Sequence, residues 1–382
     1  MAQQWVPAVF MRGGTSKGVF FREEVLPPAG EERDALFLSV TGSPDPYGRQ
    51  LDGMGGGASS LSKVVSVRGS ERADADVEYT FGQVAIDRPV VDYSGNCGNL
   101  SSAVGPFAVD EGVVPPPDDG FVTLRVLNTN TGKLFRSAFE VRGGTAVVSG
   151  DLEVPGVAGT GAPVRLEYLS PGGARTGSLL PAGSASTRLD TPRGPVTVSC
   201  VDASNPVVFV AAGELGLTGA ETREHLASDG QLMDTLDHIR REGAVATGLA
   251  ASAAAAPLAN PKVAVVAAPS AYETLSGSRI APDAFDLAVR MLSMEQVHGA
   301  VPGTGALCLA VATQIPGTVP HRLTSARPGA PTRLGTPSGV LPVEADVVAG
   351  DGVAQARTAS LYRTARPLMR GAVAVPGDTR LP

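Results

Sequence analysis

The stretch Phe81–Val109, FGQVAIDRPVVDYSGNCGNLSSAVGPFAV, passes from an alternating apolar run through turn residues into a block of small and apolar side chains. Its first part has the period of a strand. Its last part reads as a helix that starts after an asparagine and is closed by Gly112. Cys97 lies at the mouth of that helix between two Gly-Asn pairs, and it is one of only three cysteines in the chain. A thiol at a helix N-terminus faces unsatisfied backbone N–H groups and the positive end of the helix dipole, which favour the thiolate. Flanking glycines let backbone approach a ligand closely, and the same N–H groups can hold a carboxylate. Two readings stand side by side here: a proton carrier, or a small buried apolar cysteine.

Working outward, WVPAVFM, KVVSVRG, VEYTFGQVAI, VTLRVLNT, AFEVRGG and VRLEYLS carry strand patterns, so the first half is mostly β. The glycine- and serine-rich SLLPAGSASTRLDTPRG then reads as a linker, which gives an N-terminal domain over 1–185 and a C-terminal domain over 186–382. The last strand is a candidate to return to the first domain. The second half repeats the plan of the first. SCVDASNPVVF matches the opening AVFMRGGTSKGVFF as strand, polar turn and strand, and VPGTGALCLAVATQI matches the glycine turn and helix after Tyr93. Between them, ETREHLASDGQLMDTLDHIRREGAVATGLAASA (221–253) and DAFDLAVRMLSMEQ (283–296) are predicted helices. The fold class is α+β, twice over.

With 382 residues, the chain is long enough for two cores. The 47 glycines and 31 prolines punctuate many short elements. A net charge of -7 without any Lys/Arg run argues against a nucleic-acid partner and for a small molecule. Three widely spaced cysteines and four histidines give neither a disulfide framework nor a metal pair, so a reducing setting and no metal are expected. MAQQWVPAVF lacks the pattern of a signal peptide, and AVATGLAASAAAAPLANP is too short and too weakly apolar to span a bilayer. A cytoplasmic protein with no membrane partner is the expectation.

Three glycine-rich matches fail on context. GMGGGA precedes a strand instead of joining strand to helix, so it is no dinucleotide loop. In GGTSKG the lysine follows the serine, against the order of a phosphate loop. Ser60 and Lys63 fit S-x-x-K without its companion motifs. Lys63 by itself is an ordinary lysine ahead of a β run, normally solvated. Burial beside Cys97 would instead favour the neutral amine that a general base needs.

Four stretches are specific: MRGGTSKGVFF (11–21), GSPDPYGRQLDGMGGGASSLSKVV (42–65), Phe81–Val109, and RMLSMEQVHGAVPGTGA (290–306). Together they resemble the PrpF family of 2-methylaconitate cis/trans isomerases and relatives over nearly the full length. The resemblance implies a diaminopimelate-epimerase-like fold: two pseudo-symmetric domains, each a β-structure wrapped around a central helix, with the active site in an interdomain cleft. It implies that Lys63 and Cys97 carry the proton transfer, and that Asn96, Gly98 and Asn99 flank the substrate. It also places Arg12, Ser16 and Lys17 as a carboxylate site. Thr304 with the amides of Gly303 and Gly305 offers a second anion cradle, and Ser293, His298 and Ser338 complete the candidate set. Two-thiol racemases of this fold carry a second cysteine before the second glycine turn. Here that position is Pro302, which has no titratable group and disfavours a racemase.

The implied activity is an allylic proton shift on an unsaturated di- or tricarboxylate, 2-methylaconitate-like, without cofactor or metal. A 4-oxalomesaconate tautomerase is the alternative on the same chemistry. A non-catalytic dicarboxylate-binding protein is the alternative of another class. A homodimer remains open.

Overall fold

In the computed structural model, which describes residues 3–93, 97–115, 118–257, 260–293, 296–327, 330–350 and 353–377, strands β1 (Gln3–Gly13) and β2 (Ser16–Arg22) form an antiparallel hairpin. β2 lies parallel to β3 (Lys63–Gly69), which pairs antiparallel with β4 (Val77–Val84). β4 then runs parallel to β6 (Gly120–Asn128), and β6 pairs antiparallel with β7 (Lys133–Arg142). The short β5 (Val91–Asp92) pairs with the end of β4. The C-terminal strand Ala365–Pro376 returns to pair with β1. These elements belong to one compact unit, Met1–Leu166 with Tyr362–Pro382; the other is Glu167–Leu361. That division precedes the glycine- and serine-rich stretch around residue 186.

Within the first unit the sheet is covered on both faces, which is why β2 and β3 read as almost unbroken apolar runs. Successive side chains of β2 point opposite ways. Phe20 meets Phe107 of helix α2 (Ser101–Asp110) with ring centroids 5.5 Å apart. Phe21 stacks on Phe37 of helix α1 (Glu31–Thr41) at 5.8 Å. α2 is the central helix: Ser101 through Val109 are all buried. It ends where the sequence places its stop, at Gly112 with φ +65°.

The second unit repeats the pairing order. Val196–Ala203 and Asn205–Ala211 form an antiparallel hairpin, and the latter runs parallel to Lys262–Ala267. That strand is antiparallel to Leu287–Ser293, which runs parallel to Thr332–Thr336; the last pairs antiparallel with Gly339–Gly350. Both units therefore read antiparallel, parallel, antiparallel, parallel, antiparallel, with a buried helix between the fourth and fifth strands. In the second unit that helix is α5 (Gly303–Thr313), buried from Gly305 to Thr313.

Two predicted helices are corrected. Residues 221–253 do not form one helix: α3 (Arg223–Ser228) and α4 (Gly230–Ala246) are separated at Asp229. The Asp229 carboxylate accepts the Leu232 N–H at 2.9 Å and starts the second helix anew. Residues 283–296 contain the strand Leu287–Ser293 in place of a helix. Both its faces are covered, so Leu287, Ala288, Val289 and Met291 are all buried, and the run has no strand alternation to read. The buried Arg290 lent it a false polar face; its Nε donates to the Glu221 carbonyl at 2.8 Å.

Candidate active site

The start of α2 and the β1–β2 hairpin shape each other. The hairpin pairs Arg12 with Lys17 and Gly13 with Ser16, so Gly14 and Thr15 form its two-residue turn. Gly14 has φ +49°, the left-handed conformation such a turn requires. Asn99 locks this turn to the helix start. Its Nδ2 donates to Thr15 Oγ1 at 2.9 Å, while its Oδ1 accepts Arg363 Nε at 3.1 Å.

Cys97 is half-buried at the head of this turn. Its carbonyl accepts the Ser101 N–H at 2.9 Å, the first helical bond of α2. Its sulfur accepts the Leu100 N–H at 3.5 Å, which closes the turn leading into the helix. The same sulfur stands 3.9 Å from the hydroxyl of the buried Ser16. Gly98 lies within the turn, and Asn96 lies outside the described residues.

Lys63 opens β3 and is only 8% exposed, so the solvated reading of this lysine does not hold. Its Nζ sits 5.0 Å from the centroid of the Phe81 ring and donates to Gln83 Oε1. On the other side, β2 offers Gly18, where a side chain would meet the Lys63 carbonyl at 2.8 Å and its Cβ at 3.2 Å. Ser16 and Gly18 are two residues apart and thus on one face of β2. Ser16 contacts Cys97 and Gly18 contacts Lys63, so this face of β2 borders both the thiol and the lysine.

The long loop before β3 is held from within. The Asp45 carboxylate accepts the N–H groups of Tyr47 at 2.8 Å, Arg49 at 3.0 Å and Gln50 at 2.5 Å. The bond from Tyr47 leads in holding its acid below the usual carboxylate range. Gln50, buried with φ +53°, donates to Ser62 Oγ at 2.7 Å, and Ser62 Oγ donates to the Val84 carbonyl at 3.0 Å. These bonds fix the residue next to Lys63.

Arg12 braces the hairpin, its Nη1 donating to the carbonyls of Gly14 at 3.1 Å and Thr364 at 2.9 Å. Burial, and then the charge of Arg366, push its guanidinium below the usual arginine range, which makes an anion a favourable neighbour. Lys17 Nζ lies 5.6 Å from the Phe10 ring centroid.

The remaining candidates belong to the second unit. Pro302 is the N-cap of α5, and Gly303, Thr304 and Gly305 form its first turn, which no side chain caps. His298 Nδ1 lies 2.6 Å from the Ala300 carbonyl oxygen and 3.0 Å from the Ala300 nitrogen, and burial lowers the proton affinity of the ring. Ser338 Oγ donates to the Gly299 carbonyl at 2.6 Å. His298 and Ser338 thus brace the turn that leads into α5. Ser293 ends its strand opposite Gln296.

Sequence reasoning missed Gln83 and Arg363. Gln83 lies inside the stretch that reveals the fold, but only strand register puts it beside Lys63, its partner across β3 and β4. Arg363 reaches Asn99 from 264 residues away, and no local pattern signals it.

Comparison with known proteins adds to this geometry. The family described as PrpF protein matches residues 3–376. A 2-methyl-aconitate isomerase of Shewanella oneidensis is 41% identical, with 97% of each chain covered. A 4-oxalomesaconate tautomerase of Pseudomonas putida is 36% identical, over 99% of this chain and 98% of its own. The crystal structure of a methylitaconate-delta-isomerase superimposes with a TM-score of 0.91 at 39% identity, covering 100% of this chain and 98% of that one.

Proposed function

The chain belongs to the PrpF family, and from that premise we propose that it is a cofactor-independent isomerase moving an allylic proton on an unsaturated di- or tricarboxylate. The observation that carries this reading is the pairing of a buried amine and a thiol in the turn before α2 along one face of β2, Lys63 by Gly18 and Cys97 by Ser16. Lys63 is the base. Its amine takes a C–H proton made acidic by the neighbouring alkene and carboxylates, leaving an extended enolate-like anion and an ammonium group. The Cys97 thiol returns a proton, at the original carbon after bond rotation or at the far end of the allyl system. One proton passing from ammonium to thiolate then restores the starting state. Carboxylates of the substrate are held by Arg12, Ser16 and Lys17, and donors already in place stabilise the developing charge.

A 2-methylaconitate-type substrate leads, supported by the 41% identity to an isomerase of that name against 36% for the oxalomesaconate tautomerase. The same two groups would serve the tautomerisation. The test offers each substrate in D₂O, followed by proton NMR and ultraviolet absorbance. Deuterium enters the allylic position together with isomerisation of the preferred substrate. Binding without deuterium entry for any unsaturated carboxylate would make the chain a carboxylate-binding protein instead.

A further inference from the structure

Lys63 has one hydrogen-bond acceptor whose own orientation the fold fixes. The two N–H bonds of the Gln83 amide are taken by the carbonyls of Ser62 at 2.8 Å and Ser59 at 3.1 Å. Both are acceptors only, so the amide cannot be turned over, and its Oε1 must face the Lys63 amine that donates to it. Strand register places the two residues directly opposite, with Asp92 of β5 opposite Gln83 on its far side. At this end of the elements around Lys63 stand Lys17 of β2, Cys97 on the turn before α2, and Arg12 and Arg363 at the hairpin, while Arg22 of β2, Arg68 of β3 and Glu78 and Tyr79 of β4 lie toward the opposite end of their strands. On β2 the position against Lys63 is a glycine.

We propose that Gln83 is a positioning residue that aims the Lys63 amine without locking it in the ammonium form. The proposal rests on the reading of Lys63 as the base. An amide oxygen accepts a hydrogen bond from a neutral amine as well as from an ammonium, and it favours the ammonium far less than a charged acceptor does. A carboxylate in the same place would favour the ammonium form, and a base locked as ammonium cannot take a proton. Glutamine therefore supplies direction where glutamate would supply direction and a charge. It also keeps a neutral group between the amine and Asp92.

The experiment is the pH dependence of kcat/KM for isomerisation, measured on the full chain and on Gln83→Glu, Gln83→Met and Lys63→Met. With Lys63 as base, the rate rises with pH along a limb set by loss of the ammonium proton. Gln83→Glu moves that limb to higher pH by about one unit or more, the effect of an opposite charge in contact. Activity below the limb falls about tenfold for each unit moved and returns above it. Gln83→Met removes the acceptor that stabilises the ammonium, so its limb moves to lower pH, with kcat reduced and KM changed less.

Opposite displacements establish the role. A limb left in place in either variant, whatever the loss of rate, overturns it and makes Gln83 a packing residue only. Should Gln83→Glu fail to fold, the methionine variant decides alone. Lys63→Met separates the two levels: native deuterium exchange there removes the base assignment itself, whereas lost exchange with unmoved limbs removes only the inference about Gln83.

Discussion

Lys63 and Lys262 stand at the same place in the two units. Each opens the third strand of its unit, and each is set against the second residue after the hairpin partner at the tip: Gly18 after Ser16, and Val207 after Asn205. Each unit then continues with an antiparallel strand, a short paired strand and a central helix. The chemistry placed on this common frame differs. Lys63 has a glycine beside it, an amide oxygen to donate to, and a thiol in the turn before the helix of its unit. Lys262 has a valine as its register partner, and its unit's helix begins at Pro302. Burial lowers the proton affinity of Lys262. The two lysines share a topological position, and the groups that border them are what separate the two halves.

The sharpest way to break that comparison is to delete each amine while keeping its stem. Lys63→Met is expected to lose about 10⁴-fold in substrate deuterium exchange, the upper range for a positioned base. Lys262→Met should lose about tenfold or less. Stopped exchange in both variants would mean that the second unit carries part of the proton transfer. Unchanged exchange in Lys63→Met would take the base away from the first.

Next in size is the thiol. Cys97→Ser preserves shape and the bond to the Leu100 N–H but not the acidity of sulfur, and a loss of about 10² to 10³ in turnover is expected. Alkylation sharpens the contrast between the helices. Cys97 is half-buried, whereas Cys200 and Cys308 are buried. Burial pushes the Cys200 thiol up to about 12 and the Cys308 thiol further. Iodoacetamide followed by peptide mapping should find label on Cys97 in step with inactivation, slowed by a bound substrate and faster as pH rises and thiolate accumulates. Label on Cys308 tracking inactivation would move the active thiol to α5.

How much of this was legible depends on sequence distance. The α2 helix, its stop at Gly112 and the thiol at its mouth are local patterns, and they are where the sequence puts them. The repeat showed through its two glycine turns. Hidden were features made by register and by distant returns. Gln83 faces Lys63 because β3 and β4 pair in one register and not the next, and Arg363 arrives from the far end of the chain. The strand Leu287–Ser293 passed for a helix because covering both faces removes the alternation that identifies a strand.

The smallest expected difference tests whether the central helices are packed alike. Gly105 of α2 and Gly305 of α5 both lie against a strand of their own unit. A methyl added at Gly105 would come within 2.6 Å of Ser137 Oγ and 2.7 Å of the Phe139 ring, neither of which can withdraw from the core without moving its strand. A methyl at Gly305 would meet the Met291 sulfur at 2.6 Å, the far end of a flexible side chain. Alanine in place of a helical glycine gains about 0.5–1 kcal/mol from backbone entropy, and overpacking costs about 1–3 kcal/mol. Gly105→Ala should therefore destabilise by about 1–2 kcal/mol, while Gly305→Ala stays within about 0.5 kcal/mol of neutral because methionine repacks. Urea unfolding read by circular dichroism measures both. Equal losses would show that α5 is as tightly held as α2, and the different chemistry at their two starts would then owe nothing to a difference in how firmly the helices are seated.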